Sequence, residues 1–116
     1  MAKQWHLENS VDCPLVAALG IVGGKWKPII LHILSDGAMR FGDIRRNIPP
    51  VSQKMLTQHL RELEADGIVH RKLFEEKPPK TEYSLTAKGD SLRPILASLY
   101  AWGREHALGA PEPEPR

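Results

Sequence analysis

The sequence has few of the features that define secreted, membrane or disulfide-stabilised proteins. Its single cysteine, Cys13, excludes an internal disulfide framework and fits a reducing compartment. The longest apolar run, Pro14–Val22, is far shorter than the roughly 20 residues that span a bilayer. Glu8 and Asp12 precede that run and no small-residue cleavage site follows it, so it does not resemble a signal peptide. We therefore expect a cytoplasmic protein with no membrane partner.

The excess of positive over negative charge is also small. The 116 residues carry a formal net charge of only +2, which by itself does not indicate a nucleic-acid partner. The segment 40–80 holds nine Lys or Arg and six Asp or Glu, whereas the rest of the chain is nearly balanced. The positions of those cations must therefore decide whether the protein binds nucleic acid.

The length and the order of apolar patterns predict one domain of α+β class that is mainly helical. We expect an N-terminal arm over residues 1–11, the domain over 12–107, and a disordered tail over 108–116, where proline alternates with glutamate. Apolar spacing, prolines and glycines divide the domain into helices and strands. In chain order these are helices at Pro14–Val22 and Trp26–Leu34, a short strand at Met39–Phe41, helices at Gly42–Asn47 and Gln53–Ala65, strands at Ile68–Phe74 and Thr81–Leu85, and a last helix from Thr86 to about His106, kinked at Pro94.

The helix predicted at Gln53–Ala65 has two different faces. Ser52 is a natural N-cap, and three leucines at helical spacing predict a core-facing side. The opposite side carries hydroxyl, amide and cationic groups with no carboxylate at its centre. Its members are Ser52, Gln53, Lys54, Thr57, Gln58 and Arg61. Gln can pair with adenine and Arg with guanine in the major groove, although an ordinary solvated helix face has a similar composition.

The segments around this helix favour a DNA-reading face over an ordinary solvated one. A short helix, a proline-containing turn, a two-faced helix and a β-hairpin follow one another in the order of a winged helix-turn-helix. Four cations on or beside the hairpin are candidates for contacts with the DNA backbone: Arg40, Arg71, Lys77 and Lys80. Glu75 and Glu76 reduce the positive charge of the hairpin tip. The alternative is that this tip is an ordinary solvated loop with no DNA contact.

Many short motifs in the chain resemble one family. They are Cys13-Pro14, Gly23-Gly24-Lys25-Trp26-Lys27, Arg40-Phe41, Ile44-Arg45-Arg46, Ser52-Gln53-Lys54-Met55-Leu56-Thr57, Leu60-Arg61-Glu62-Leu63-Glu64, Asp66-Gly67, Pro78-Pro79-Lys80, Tyr83-Ser84-Leu85-Thr86, Gly89, Pro94 and Trp102-Gly103. Together they resemble the HxlR family of bacterial winged-helix transcriptional regulators, relatives of the MarR regulators. The resemblance spans about residues 12–107. Pro50, Glu76 and Thr81 depart from its usual pattern.

The resemblance implies a homodimer that binds a roughly palindromic operator in double-stranded DNA and represses or, less often, activates adjacent genes. It places the DNA-reading residues on the helix that follows Ser52. It also allows a small-molecule effector, whose identity the sequence does not give.

The terminal helix carries more apolar surface than so small a domain needs. We expect a dimer interface there, formed by Leu15, Leu92, Leu96, Leu99 and Trp102. The alternative is that this stripe packs on the protein's own first helix.

Cys13 lies at a predicted helix start, where the helix macrodipole favours a thiolate. Some members of the family resembled use an N-terminal cysteine here to sense oxidants or electrophiles. The residue could equally be a small structural side chain.

Patterns typical of enzymes and metal sites are lacking. Gly24-Lys25 is not a phosphate loop, because Trp26 replaces the hydroxyl residue that holds magnesium. The five histidines show no metal-ligand spacing, and no serine has a nucleophile-elbow pattern. We therefore expect no catalysis, metal or cofactor. The alternative to a DNA-binding regulator is a winged-helix module that binds another protein and no DNA.

Overall fold

The computed structural model describes residues 13–109, so the predicted N-terminal arm and most of the predicted tail lie outside the described residues. Within these residues, six α-helices and three β-strands follow one another, ending in a π-helical turn. Their bounds are α1 Pro14–Val22, α2 Trp26–Leu34, β1 Met39–Arg40, α3 Phe41–Asn47, α4 Gln53–Ala65, β2 Val69–Phe74, β3 Lys80–Leu85, α5 Ala87–Asp90, α6 Arg93–Trp102 and the turn Gly103–Ala107. The predicted α+β class is confirmed.

The helices pack against a small antiparallel sheet in the order β1-β3-β2. Met39 pairs with Tyr83, and the hairpin register runs from Val69 opposite Leu85 to Phe74 opposite Lys80. One apolar core joins the sheet to the helices: Val22, Ile30, Leu31, Leu34, Ile44, Ile48, Val51, Leu56, Leu60, Leu63, Ile68, Val69 and Tyr83. This core holds α3 and α4 in the relative arrangement of a helix-turn-helix, with the hairpin beside them as a wing.

The start and end of α4 follow from local chemistry. The Met55 N–H donates to Ser52 Oγ at 3.0 Å, which confirms the predicted N-cap. Beyond the helix, Gly67 takes a φ of +76°, a backbone conformation that glycine adopts at little cost. The helix therefore occupies the predicted range, Gln53–Ala65.

Several boundaries differ from the prediction, including the first residue of β2, which is Val69 and not Ile68. Phe41 begins α3 instead of ending a strand, and Lys80 is the first residue of β3, so the wing loop is shorter than predicted and spans 75–79. The predicted terminal helix is divided: Thr86 caps the short α5 by accepting from the Gly89 N–H, and α6 begins anew at Arg93. Pro94 lies in the first turn of α6, where its missing N–H costs nothing, so it starts a helix and does not kink one.

Within residues 13–109, no single helix is long and apolar enough to cross a membrane. Helices α1 and α2 satisfy that length and hydropathy test only jointly, as a pair bent by 75°. Ile30, Leu31 and Leu34 of α2 are buried in the core described above.

Candidate nucleic-acid interface

The polar face of α4 is bare. Leu56, Leu60 and Leu63 are buried on the opposite face. The side chains that sequence reasoning assigned to DNA reading surround a shallow, open groove of about 690 Å³ together with Glu62: Gln53, Lys54, Thr57, Gln58 and Arg61. Only Thr57 and Glu62 of this set are half-buried, and the rest are exposed. The predicted reading residues therefore lie on one continuous surface, with Ser52 exposed at its start.

One carboxylate borders this surface and is already engaged. Glu62 Oε1 lies 2.7 Å from the Lys27 ammonium of α2, and Glu62 Oε2 accepts a 3.3 Å hydrogen bond from Gln58. These two contacts, with Lys27 the stronger cause, lower the pKa of Glu62 below its ordinary value. In contrast, Lys54 and Arg61 have no ion-pair partner among the described residues, so the groove keeps its positive charge.

Two arginines that sequence reasoning did not assign to the site also belong to this surface. Arg45 and Arg46 of α3 line a second groove that reaches Gln53 at the start of α4. Arg46 forms an ion pair with Asp43 one turn earlier, whereas Arg45 has no such partner within residues 13–109. The signal available in the sequence was an adjacent Arg pair just before the turn that leads into the two-faced helix.

The cations of the wing are less available than the sequence suggests. Arg40 forms an ion pair of 3.2 Å with Glu76 and lies over the Phe74 ring. Arg71 lies mid-strand opposite Tyr83, not at the tip, and its Nε is 3.5 Å from Glu64 of α4. The first pair joins residues 36 positions apart, and the second joins β2 to α4 across the turn between them, so neither follows from the spacing within one helix or strand.

The remaining two wing cations fit the prediction better. Lys77 and Lys80 are exposed and have no ion-pair partner among the described residues. Lys77 lies within the wing loop and Lys80 directly follows it, so both lysines lie at the same end of the small sheet. Among the four predicted wing cations, these two are therefore the ones that remain unpaired within residues 13–109.

A second exposed surface, which we call the apolar face, is formed by α1 and α6. Leu15, Leu99 and Trp102, three of the predicted interface residues, are between 55% and 61% exposed. Other apolar side chains widen the face: Val16, Leu19, Ile95 and Tyr100. The other two predicted interface residues, Leu92 and Leu96, are half-buried against the core of their own chain, because α6 packs along α2. Leu92 and Leu96 therefore contact the core of their own chain and keep only part of their surface for an interface, and the interface prediction stays a prediction.

Cys13 is the N-cap residue of α1 and is half-buried at the edge of the apolar face. Its carbonyl accepts the Ala17 N–H at 2.9 Å, and its side chain makes no capping hydrogen bond. In the described range no three His, Cys, Asp or Glu side chains are grouped as a metal site would require. The thiol is thus placed at a helix end rather than inside the core.

Helix α4 exposes a polar face, follows a proline-containing turn and is held by α2 and α3, with a two-stranded wing beside it. This arrangement defines a winged helix-turn-helix protein. Residues 21–110 match the family model described as HxlR-like helix-turn-helix, and the chain belongs to that family, as its motifs predict.

Individual proteins agree with this assignment. The chain is 48% identical over 98 residues to an uncharacterized HTH-type transcriptional regulator of Bacillus subtilis (strain 168), YybR, covering 84% of this chain and 78% of the relative. Among solved structures, the redox regulator HypR in its oxidized form matches with a TM-score of 0.77 and 49% identity over 81% of this chain and 97% of HypR. A protein assigned to the MarR family from Porphyromonas gingivalis W83 matches with a TM-score of 0.81 and 32% identity, covering 90% and 99% of the two chains.

Proposed function

We propose that this protein is a sequence-specific DNA-binding transcriptional regulator that acts in the cytoplasm as a homodimer, with a binding function and no catalytic step. The observation that carries the proposal is the division of α4: its leucines are buried, while its amide, hydroxyl and cationic side chains line an open groove. Membership of the HxlR-like family and the names of its relatives as transcriptional regulators support the same function.

In the proposed complex, α4 lies in the major groove. Gln58 and Arg61 reach base edges, since an amide matches adenine and a guanidinium matches guanine. Arg45 of α3 and Ser52 at the start of α4 contact phosphates on one side of the groove, and Lys77 and Lys80 of the wing contact phosphates on the other. Base contacts would supply specificity, and phosphate contacts would supply salt-dependent affinity.

The proposed dimer forms through the apolar face. A monomer that left Leu15, Leu99 and Trp102 in water would expose a contiguous apolar surface of the kind that marks an interaction site. Two-fold symmetry would set the two α4 helices about one DNA turn apart, roughly 34 Å, and would match them to a palindromic operator. A dimer bound across a promoter blocks transcription sterically, so we propose a repressor.

Selection from a random duplex library tests the DNA-binding function. The full chain is expected to enrich one palindromic sequence, and its affinity should fall steeply as salt rises, because each neutralised phosphate contributes a slope of about −0.9. Arg61→Ala should weaken binding to that sequence by about 1–3 kcal/mol. A protein-interaction module would enrich no sequence and would show little salt-sensitive binding, and that result would refute the proposal.

Sedimentation tests the dimer. Leu99→Asp places a charge in the apolar face and is expected to yield monomers that bind DNA weakly. Leu73→Asp is the matched control, because Leu73 is 54% exposed on β2, outside that face, and should leave the dimer intact. Monomeric wild-type protein, or dimers of the Leu99 variant, would contradict the proposed interface.

A second proposal concerns Cys13, which we infer to be an oxidant- or electrophile-responsive thiol. Two observations favour this role: Cys13 lies at the N-terminus of α1, beside the apolar face, and the chain is similar to the redox regulator HypR. Diamide would join two such thiols of a dimer as a disulfide, while a quinone would alkylate each one singly. Both reagents are expected to release the wild-type protein from its operator. Unchanged release in Cys13→Ser would leave Cys13 as a structural residue only.

A further inference from the structure

The Glu62 carboxylate joins a core helix to a side chain of the groove. Its Oε1 lies 2.7 Å from the ammonium of Lys27, and its Oε2 accepts a 3.3 Å hydrogen bond from Gln58 Nε2. Lys27 reaches it from α2, with a side chain only 11% exposed, while Glu62 itself is 44% exposed. The contact is therefore a bridge from the interior of the domain to Gln58 on the polar face.

The bridge selects one orientation of the Gln58 amide. An ionised carboxylate accepts hydrogen bonds and cannot donate them, so it attracts the amide nitrogen and repels the carbonyl oxygen. The ion pair with Lys27 and the hydrogen bond from Gln58 keep the pKa of Glu62 low, which maintains this acceptor state. With one N–H of Gln58 donated to Glu62, its second N–H and its carbonyl oxygen remain available as a donor–acceptor pair.

Lys27 determines where that acceptor sits. A glutamate on a helix surface ordinarily moves among several rotamers, and a partner only four residues away moves with it. Lys27 belongs to a different helix, whose neighbouring Ile30 and Leu31 are fully buried, so its ammonium is a fixed point relative to the core. Glu62 is consequently oriented by the tertiary structure and passes that orientation to Gln58.

We propose that Glu62, held by Lys27, is a positioning residue that fixes the Gln58 amide for the recognition of adenine. The remaining N–H and the carbonyl oxygen match the N7 acceptor and the N6 donor of adenine in the major groove. Glu62 does not touch the DNA in this arrangement; it acts through Gln58. The inference rests on the proposed function of α4 as the reading helix.

Affinities for single-base-pair variants of the selected duplex test the inference. In Gln58→Ala, the ratio of affinities for the correct and the substituted base pair is expected to fall by about 5- to 150-fold at one A·T pair, the usual range for a bidentate contact. Glu62→Ala should lose most of that discrimination at the same pair and none elsewhere, and the double variant should lose no more than Gln58→Ala. Glu62→Gln keeps an oxygen acceptor and should restore part of the discrimination, which a merely structural role would not predict.

Glu64 provides the matched control. It is on the same helix and carries the same charge, but its carboxylate lies 3.5 Å from Arg71 and makes no contact with Gln58. Glu64→Ala should therefore change the affinity for all duplexes by one common factor. If Glu62→Ala does not fold, Lys27→Met decides the question, because it leaves both Glu62 and Gln58 in place while removing the ammonium that orients Glu62.

The outcomes separate the inference from the function on which it rests. Full discrimination at the Gln58 base pair in Glu62→Ala and in Lys27→Met, or additive losses in the double variant of Gln58 and Glu62, would overturn the inference and leave the DNA-binding function standing. Failure of the wild-type protein to select any duplex would overturn both.

Discussion

Arg40 of β1 and Glu76 of the wing loop form an ion pair, with Arg40 Nη2 3.2 Å from Glu76 Oε2. The two residues are 36 positions apart, and both side chains are about two-fifths exposed. Arg40 is thereby turned towards an acid of its own chain instead of a phosphate. Because the pair is exposed, water and salt screen it, and it can be exchanged for a DNA contact.

Removal of this acid should strengthen DNA binding. In Glu76→Gln, Arg40 is free to contact a phosphate, so affinity for any duplex is expected to rise severalfold. The slope of log affinity against log salt should steepen by about 0.9, the value for one added phosphate contact. A titration over several salt concentrations measures both quantities, and Arg40→Ala in the same background should reverse them. An unchanged salt slope would show that Arg40 faces away from the DNA.

Arg45 and Arg61 should affect binding in different ways. Arg45→Ala removes the proposed phosphate contact and is expected to weaken binding to all sequences equally, with a salt slope smaller by about 1. Arg61→Ala removes the proposed base contact and should also relax the preference at one base pair. Affinities for the selected duplex and for its single-base variants distinguish the two effects. A sequence-dependent loss in Arg45→Ala would place α3, not α4 alone, among the reading elements.

The stability supplied by the Lys27–Glu62 pair should depend on pH. The groups that face the carboxylate are the Lys27 ammonium, the Gln58 amide and, at 3.8 Å, the His59 ring, and together they lower the pKa of Glu62, with Lys27 the largest cause. A carboxyl group with a lowered pKa in the folded state stabilises the fold above its unfolded value, about 4.5, and the contribution is lost as the pH falls through the lower folded value.

Urea unfolding of wild type and Glu62→Gln measures this dependence. The difference in the free energy of unfolding should be constant near neutral pH and should shrink below about pH 4. A difference that stays the same at about pH 7 and about pH 3 would exclude the ion pair as its source.

Gly89 should tolerate no side chain. A Cβ at this position would lie 2.2 Å from the backbone oxygen of Ile68, where α5 docks on the start of the hairpin. Gly89→Ala is expected to lower the free energy of unfolding by about 1–3 kcal/mol, as overpacking usually does. Gly42→Ala is the control: its Cβ would meet only the end of Arg46 at 3.6 Å, and the change should be neutral or stabilising. Equal stabilities of the two variants in thermal unfolding would contradict this packing.

The sequence predicted α4 and its polar face accurately because both depend on local chemistry. The Ser52 cap, the leucine spacing and Gly67 act within a few residues of each other, so they determine where the helix begins, where it ends and which side is buried. The terminal helix was predicted less well. Thr86 has a longer-range role there, since its hydroxyl donates to the Gly67 carbonyl before the hairpin and also accepts from the Gly89 N–H of α5.

The pairing of charged side chains that are far apart in the chain could not be predicted from local patterns. Arg40 meets Glu76 and Lys27 meets Glu62 only because the chain folds back on itself. The same holds for the burial of Leu96, whose spacing on the terminal helix suits an interface and which is half-buried against the core of its own chain.

The residue order alone thus determined the family, the succession of helices and strands and the polar side of the reading helix, since capping and apolar periodicity operate over a single turn. Only the tertiary structure decided which cations stay unpaired, which leucines are left in water and how Gln58 is oriented. Those outcomes depend on distances between residues far apart in the chain, and packing of the common core sets these distances.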